Sequence, residues 1–242
     1  MRPLVVAHRA CPRHAPENSL AGIAAAGRLG ADVVELDVRL TRDGVPVLLH
    51  DPLLLRTTGR VAPVNRVSAA TLRTYLLRES DGEPPPTLEA AVRALPDSLG
   101  VALDLKDPAA APAALEVIDR LDRRDGVRLW SQHERAVRWC ATTVDTARTE
   151  VALLRDTRKG EATDRLLDDA IAWGATAVSV TPAVVDEPLL VAAHRRGLSV
   201  YAWFPRLEDQ VEAVTASGLD GVVTDWVEEA VAARRSLEAP SG

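Results

Sequence analysis

The hydrophobic residues of this chain follow two patterns that alternate. Short apolar runs begin near residues 4, 33, 101, 127, 150, 176, 198 and 221, and each predicts a β-strand. A segment with helical spacing follows each run; after the first, Leu20, Ile23, Ala24 and Gly27 would share one helix face. Strands that alternate with helices predict an α/β fold with a parallel sheet. Eight such units favour a closed (β/α)8 TIM barrel over an open doubly wound sheet.

The alternation is interrupted once, in residues 52–86. This segment contains Thr57-Thr58-Gly59, a candidate short helix over residues 68–77 and the tripeptide Pro84-Pro85-Pro86. We interpret it as a small insertion after the second strand. The 242 residues are close to the usual size of one (β/α)8 barrel, and no linker divides them. Residues 1–242 are therefore predicted to form a single TIM-barrel domain.

The second predicted strand carries two acids in an otherwise apolar run. Glu35 and Asp37 are two residues apart, so their side chains would lie on the same face of a strand. Burying two unpaired acids is costly, and a divalent cation bound by their oxygens would offset that cost. A pair of solvated carboxylates on an edge strand is the alternative that this pattern leaves open.

In a (β/α)8 barrel the chemistry lies at the carboxyl ends of the strands. Asp104 and Lys106 share a face there, and carboxylates of neighbouring strands can surround one cation. Arg9 and Lys106 can hold an anion beside it, whereas His8 and His50 can exchange protons near neutral pH. A metal site, an anion clamp and a histidine pair suit attack on a phosphodiester.

Each of these residues also has a simpler interpretation. His8 could be a structural histidine, Arg9 could cap a loop, and Asp104 could form an ordinary ion pair with Lys106. Their coincidence at the strand ends favours the catalytic interpretation. The other residues at predicted strand ends are Ser131, Trp203, Thr224 and Asp225.

Composition narrows the class of protein. The net charge is −6, from 29 basic and 35 acidic residues, and no basic stripe with interleaved aromatics indicates a nucleic-acid partner. No run resembles a signal peptide or an integral membrane segment. The two cysteines, Cys11 and Cys140, do not suggest a disulfide framework. We expect a cytoplasmic protein with a small-molecule substrate; its oligomeric state does not follow from these patterns.

The motifs, in their order along the chain, resemble those of the glycerophosphodiester phosphodiesterases. The resemblance runs from about residue 4 to about residue 235. It rests on His8-Arg9, Pro16-Glu17-Asn18-Ser19, Gly30-Ala31-Asp32, Glu35-Leu36-Asp37, Thr41-Arg42-Asp43-Gly44, Pro46-Val47, His50-Asp51, Thr57-Thr58, Thr87-Leu88-Glu89, Asp104-Leu105-Lys106, Trp203 and Gly221-Val222-Val223-Thr224-Asp225.

The resemblance implies a (β/α)8 barrel with a small insertion after the second strand. It implies hydrolysis of glycerophosphodiesters to glycerol phosphate and an alcohol, through attack of a glycerol hydroxyl on phosphorus and hydrolysis of the resulting cyclic phosphate. The implied cofactor is Mg²⁺ or Ca²⁺. The implied roles are metal binding for Glu35, Asp37 and Asp104, acid–base catalysis for His8 and His50, and substrate binding for Arg9, Lys106 and Trp203.

Four positions depart from the usual pattern of this family. Ala10 stands where Gly usually follows His-Arg, and Asp104 stands where the third metal ligand is usually Glu. Phe204-Pro205-Arg206 replaces the frequent Thr-Val-Asn, and Trp226-Val227 replaces Tyr-Pro or Phe-Pro. The histidine pair and two of the acids are unchanged. The departures therefore concern the choice of substrate more than the type of reaction.

Two other functions are compatible with the sequence. A related barrel of the phospholipase D or phosphoinositide-specific type would act on a lipid, but the sequence has no secretion signal and no apolar surface segment. A catalytically inactive barrel would bind a phosphorylated ligand, and Ala10 and Asp104 leave room for it.

Overall fold

Eight parallel strands close into a barrel, and one further strand extends its mouth as a hairpin. The protein is represented by a computed structural model, which describes residues 2–157, 163–204 and 218–238. The first strand pairs in parallel with the second and with the last, which closes the barrel. The strands are β1 (Leu4–Ala7), β2 (Val33–Leu40), β3 (Pro46–Leu48), β4 (Gly100–Leu105), β5 (Val127–Ser131), β6 (Glu150–Arg155), β7 (Ala177–Val180), β8 (Ser199–Phe204) and β9 (Gly221–Thr224).

Helices cover the outside of the barrel. Those within the described residues are α1 (Leu20–Leu29), α2 (Leu55–Thr58), α3 (Ala69–Leu72), α4 (Leu88–Ala94), α5 (Ala110–Arg120), α6 (Glu134–Thr143), α7 (Thr163–Trp173), α8 (Glu187–Arg195) and α9 (Val227–Glu238). α1 begins where Ser19 Oγ accepts a hydrogen bond of 2.9 Å from Gly22 N, and it ends at Gly30, whose φ is 84°. None of these helices combines the length and the apolar character needed to cross a bilayer.

The alternation of side chains along the strands produces two packed layers. Inward-facing residues fill the barrel interior; they are Val6, Val33, Ala102, Trp130, Ala152, Ala177, Tyr201 and Val223. Residues of the opposite strand face, such as Leu36 and Leu103, pack against the helices. Because Glu35 and Asp37 alternate with Leu36, both acids are directed to the barrel axis, as the period of two predicts.

The insertion forms a small layer of its own beside the mouth. β3 pairs antiparallel with the carboxyl end of β2, and Leu53 pairs with Pro63 farther along. Buried residues beneath it form a separate cluster, which consists of Val47, Leu49, Leu54, Val64, Val67 and Leu72. The insertion is thus attached to the barrel where β2 ends.

The eight predicted strands are confirmed, and so are the predicted helices within the described residues, with local differences. The short helix predicted over residues 68–77 is only the turn α3, and the helix predicted over residues 109–123 ends at Arg120. Asp122, just beyond that end, has a φ of 52°, which a helix does not accommodate. The helix predicted over residues 207–217 lies outside the described residues.

Candidate active site

The carboxyl ends of β2 and β4 bring three carboxylates together. Asp37 lies opposite Asp104 in the parallel ladder, and Glu35 is two residues earlier on the same inward face. All three residues are buried; Glu35 is 4%, Asp37 is 1% and Asp104 is 6% exposed. One oxygen from each lies within 4.8 Å of the other two. The edge-strand alternative, with solvated acids, is therefore wrong.

Two cations of the chain contact this cluster. Lys106 Nζ is 2.8 Å from Asp37 Oδ1 and also contacts the Asp104 carboxylate, and Arg9 Nε is 3.5 Å from Asp37 Oδ2. Burial alone would raise the pKa of Asp37, but the charges of Lys106 and Arg9 outweigh it and lower that pKa. Burial opposes the charge of Lys106, but Asp104 and Asp37 raise its pKa. Asp37 and Lys106 are therefore both charged.

Lys106 and Arg9 do not compensate the negative charge of Glu35 and Asp104. Burial, together with the charge of Asp37, raises the pKa of Glu35 to about 7. Burial also raises the pKa of Asp104, although Lys106 acts in the opposite direction. A divalent cation would compensate this excess of negative charge, and carboxylate oxygens are the ligands that hard cations prefer. The three residues fit a divalent metal ion.

A strained loop after β1 aims Arg9 at the cluster. Arg9, Ala10 and Cys11 have φ values of 43°, 57° and 59°, a left-handed run that is unfavourable for residues other than glycine. The Arg9 amide donates a hydrogen bond of 2.8 Å to Glu35 Oε2. A side chain on Gly22 of α1 would overlap the carbonyl oxygen of Ala10, so a glycine is needed there. The positive φ of Ala10 also explains why glycine suits that position.

Asn18 anchors the cluster from the start of α1. Its Nδ2 donates to Asp37 Oδ2 at 2.7 Å, and its Oδ1 accepts from the Asp37 amide at 3.0 Å. Asn18 is of a residue type that often caps helices, but the N-cap of α1 is Ser19. The segment Pro16-Glu17-Asn18-Ser19 was the only sequence signal for this role.

His8 is held by a residue from the far end of the chain. Its Nδ1 lies 2.7 Å from Oδ1 of Asp225, which directly follows β9. Burial opposes protonation of His8, but the hydrogen bond with Asp225 and the charge of Glu35 raise its pKa above the usual value. Nε2 is thereby left as the ring nitrogen for proton transfer. The sequence placed Asp225 at a strand end without assigning it a role.

His50 is held through a chain of ionic contacts. Its Nδ1 is 2.8 Å from Asp51 Oδ1, and Asp51 Oδ2 accepts a hydrogen bond of 2.6 Å from Arg56 Nε. Arg56 also donates to both oxygens of Glu17, at 2.5 and 2.8 Å. The hydrogen bond from Arg56 lowers the pKa of Asp51 to about 2. Glu17 lies 3.8 Å from Arg9 Nη1, so the insertion connects His50 with Arg9.

These groups line one cavity of about 290 Å³ at the barrel mouth. The structure brings all the predicted site residues into its wall: His8, Arg9, Glu35, Asp37, His50, Asp104, Lys106 and Trp203. Ser131 is not among them, because its hydroxyl donates to the Leu105 carbonyl. The rest of the wall comprises residues to which the sequence assigned no role, namely Trp130, Gln132, Leu154, Arg155, Asp156, Ser179 and Val223.

Comparison with known proteins identifies the family. The profile of the "Glycerophosphoryl diester phosphodiesterase family" matches residues 8–229. "Probable glycerophosphodiester phosphodiesterase 2" of Mycobacterium tuberculosis is 31% identical over 224 residues, which cover 87% of this chain and 82% of that protein.

Solved structures share the fold. A glycerophosphodiester phosphodiesterase of Agrobacterium tumefaciens is 25% identical, with a TM-score of 0.81 and coverage of 96% of this chain and 99% of that one. A phosphodiesterase of Oleispira antarctica, in complex with the product sn-glycerol-3-phosphate, has a TM-score of 0.84 at 23% identity, and 98% of each chain is covered. With the family profile matching nearly the whole barrel, the chain belongs to the glycerophosphoryl diester phosphodiesterase family.

Proposed function

We propose that this chain hydrolyses glycerophosphodiesters to glycerol phosphate and an alcohol in the cavity at the barrel mouth. One observation carries the proposal: a buried carboxylate cluster, two cations and two carboxylate-held histidines line the same cavity. The product bound to the Oleispira antarctica phosphodiesterase supports the same chemistry. Family membership makes an inactive phosphate-binding barrel the weaker alternative.

Glu35, Asp37 and Asp104 would hold the metal ion, for which we propose Mg²⁺ or Ca²⁺. Both are hard cations that take carboxylate oxygens. Bound there, the ion would stabilise negative charge that develops on the phosphoryl oxygens. Asp104 is shorter than the glutamate usual in the family, and its ladder position opposite Asp37 keeps it within reach of the cluster.

Arg9, Lys106 and Trp203 would position the substrate. Arg9 lines the cavity, and its guanidinium group suits a phosphoryl oxygen as a charge-assisted hydrogen-bond donor. Lys106 carries its charge at the cavity wall and suits the same anion. The Trp203 ring is 36% exposed at the mouth and offers a flat apolar surface to the glycerol carbons.

The two histidines would transfer the protons. His50 takes the proton of a glycerol hydroxyl as its oxygen bonds to phosphorus, and the bond from phosphorus to the head-group oxygen breaks. His8, whose protonated form Asp225 and Glu35 favour, donates its proton to the departing alcohol. Water then opens the cyclic phosphate with the two roles reversed, which returns both histidines to their starting states.

Removing either histidine tests the assignment directly. We expect His8→Ala and His50→Ala each to lower kcat for glycerophosphocholine by on the order of 10²-fold or more, the usual contribution of a general acid or base. The assay is steady-state hydrolysis with added Mg²⁺ or Ca²⁺. His194→Ala is the matched control, because His194 pairs with Asp220 outside the cavity. Near-normal kcat in either active-site variant would remove that histidine from the mechanism.

The pH profile tests the partner of His8. The Asp225 carboxylate raises the pKa of His8, so Asp225→Asn, which keeps an oxygen but loses the charge, should lower it. We expect the basic limb of kcat/KM, where protonated His8 is lost, to move to lower pH. Asp119→Asn changes an exposed aspartate paired with Arg124 and should leave the profile unchanged. A basic limb that stays in place would contradict the role of Asp225.

The contribution of Asp104 can be read from a metal titration of activity. Asp104→Asn should raise the half-saturating metal concentration by about tenfold or more, since even groups that only support metal ligands contribute that much. Asp104→Glu should retain activity, because it keeps the carboxylate. Asp97→Asn, in an exposed pair with Arg123, is the control. An unchanged titration in Asp104→Asn would leave Asp104 as a simple partner of Lys106.

Arg56 should act on His50 without touching the substrate. Arg56→Gln removes the charge that fixes Asp51 and Glu17, and we expect kcat to fall by about tenfold, less than the loss in His50→Ala. Arg56→Lys should recover part of the loss. Arg60→Gln, in the same insertion but without an ion pair to the described residues, is the matched control. Equal activity of the Arg56 and Arg60 variants would show that His50 needs no such support.

A further inference from the structure

The positive charge of the insertion contrasts with the rest of the chain. The five arginines of the insertion lie in residues 52–78, which contain no aspartate or glutamate, and its three acids, Glu79, Asp81 and Glu83, follow that stretch. The whole chain carries a net charge of −6, so the other residues together carry −11. This segment is therefore a local cationic region on an acidic protein.

Most of that positive charge is uncompensated. Arg56 is paired with Asp51 and Glu17. The other four arginines of the segment are exposed and form no ion pair within residues 2–157, 163–204 and 218–238; they are Arg60, Arg66, Arg73 and Arg78. Their guanidinium groups are available to an external anionic partner.

Large apolar side chains are exposed on the same segment. Leu53, Leu55, Val61 and Leu76 are 48%, 47%, 87% and 53% exposed, and they are four of the seven large exposed hydrophobic residues in the described part of the chain. A cluster of this kind on a folded protein usually marks an interaction site.

Contacts between the turns of the insertion bring these residues close together. Leu53 pairs with Pro63, two residues beyond Val61. The Arg60 guanidinium lies 5.1 Å from the Tyr75 ring, next to Leu76. The Arg78 amide donates to the Thr57 carbonyl in α2 at 2.8 Å, beside Leu55. We define the insertion face as Leu53, Leu55, Arg60, Val61, Leu76 and Arg78.

The insertion face flanks the entrance of the cavity. The segment follows His50 and Asp51 directly, and Arg56 of α2 ties it to Asp51 and Glu17 at the barrel mouth. A surface that binds the insertion face would therefore meet the protein beside the open end of the barrel.

We propose that the insertion face docks this protein peripherally on an anionic lipid bilayer. Arginines gain from the negative surface of such a bilayer, and aliphatic side chains gain from entering the interfacial region between the head groups. The acidic remainder of the protein is repelled by the same surface, so this face is the one that approaches it. A second copy fits less well, because a symmetric contact would oppose the arginines of both copies.

Docking would use arginines and apolar residues that are separate along the chain. The lipid-acting alternative was disfavoured because no apolar surface segment is visible in the sequence, but the fold collects single apolar residues into one face. The docked protein would work where acyl-ester hydrolases release glycerophosphodiesters from phospholipids. The proposal goes beyond the proposed hydrolysis and does not depend on it.

Vesicle flotation tests this proposal. We expect the full chain to float with vesicles of phosphatidylcholine mixed with phosphatidylglycerol, not with phosphatidylcholine alone, and to be released by high salt. The double variant Arg60→Gln/Val61→Ser should bind the mixed vesicles at least about fivefold more weakly, the effect expected from one arginine alone. The matched control is Val191→Ser/Arg195→Gln on α8, which changes one exposed apolar residue and one exposed arginine elsewhere and should bind normally.

Three results would overturn the proposal: no binding of the wild type, equal losses in the two double variants, or self-association of the wild type that the insertion variant abolishes.

Hydrolysis of soluble glycerophosphocholine in the same samples is the second measurement. It should be the same in both double variants, because Arg60 and Val61 do not line the cavity. Vesicle binding without hydrolysis would contradict the proposed function alone.

Discussion

The structure of the barrel mouth depends on the cost of burying negative charge. Glu35, Asp37 and Asp104 are almost completely buried, and a buried charge must be compensated locally. Lys106 and Arg9 contribute opposite charge, and Asn18 contributes hydrogen bonds. The strained turn after β1 follows from the same requirement, since it directs the Arg9 amide to Glu35. The remaining imbalance is what makes the cluster suitable for a divalent cation.

The two-residue alternation of polar and apolar positions predicted the site residues that lie on strands. Glu35 and Asp37 alternate with apolar residues, and Asp104 and Lys106 repeat that spacing on a neighbouring strand. Strand geometry therefore predicted that the members of each pair share a face, and the structure shows that this face is the inward one. Family resemblance supplied the roles. A helix or loop residue is harder to place this way: Asn18 has the local chemistry of an N-cap, and only the tertiary fold shows that its amide holds Asp37 instead.

Other features of the structure could not be predicted from the sequence. Trp130 has the pattern of a core residue, and it is one; its ring also forms part of the cavity wall. Arg56 lies in an irregular insertion, where no periodicity predicts which acids it will meet. The apolar residues of the insertion are isolated in sequence, and they become neighbours only through the turns between them. For Arg56 and the apolar residues of the insertion, the missing information is the path of a segment that has no regular strand or helix period.

The pairing of β1 with β9 has a consequence for the order in which this catalyst is assembled. His8 and Asp225 are 217 residues apart, whereas Asp37 and Asp104 are 67 residues apart. Contacts of such different sequence separation differ in the loop entropy that must be lost to form them. The acidic cluster therefore requires only that β2 pairs with β4, whereas the orientation of His8 requires closure of the barrel. An intermediate with an open barrel would possess the clustered carboxylates but not an oriented His8, so full activity requires the last strand to be in place.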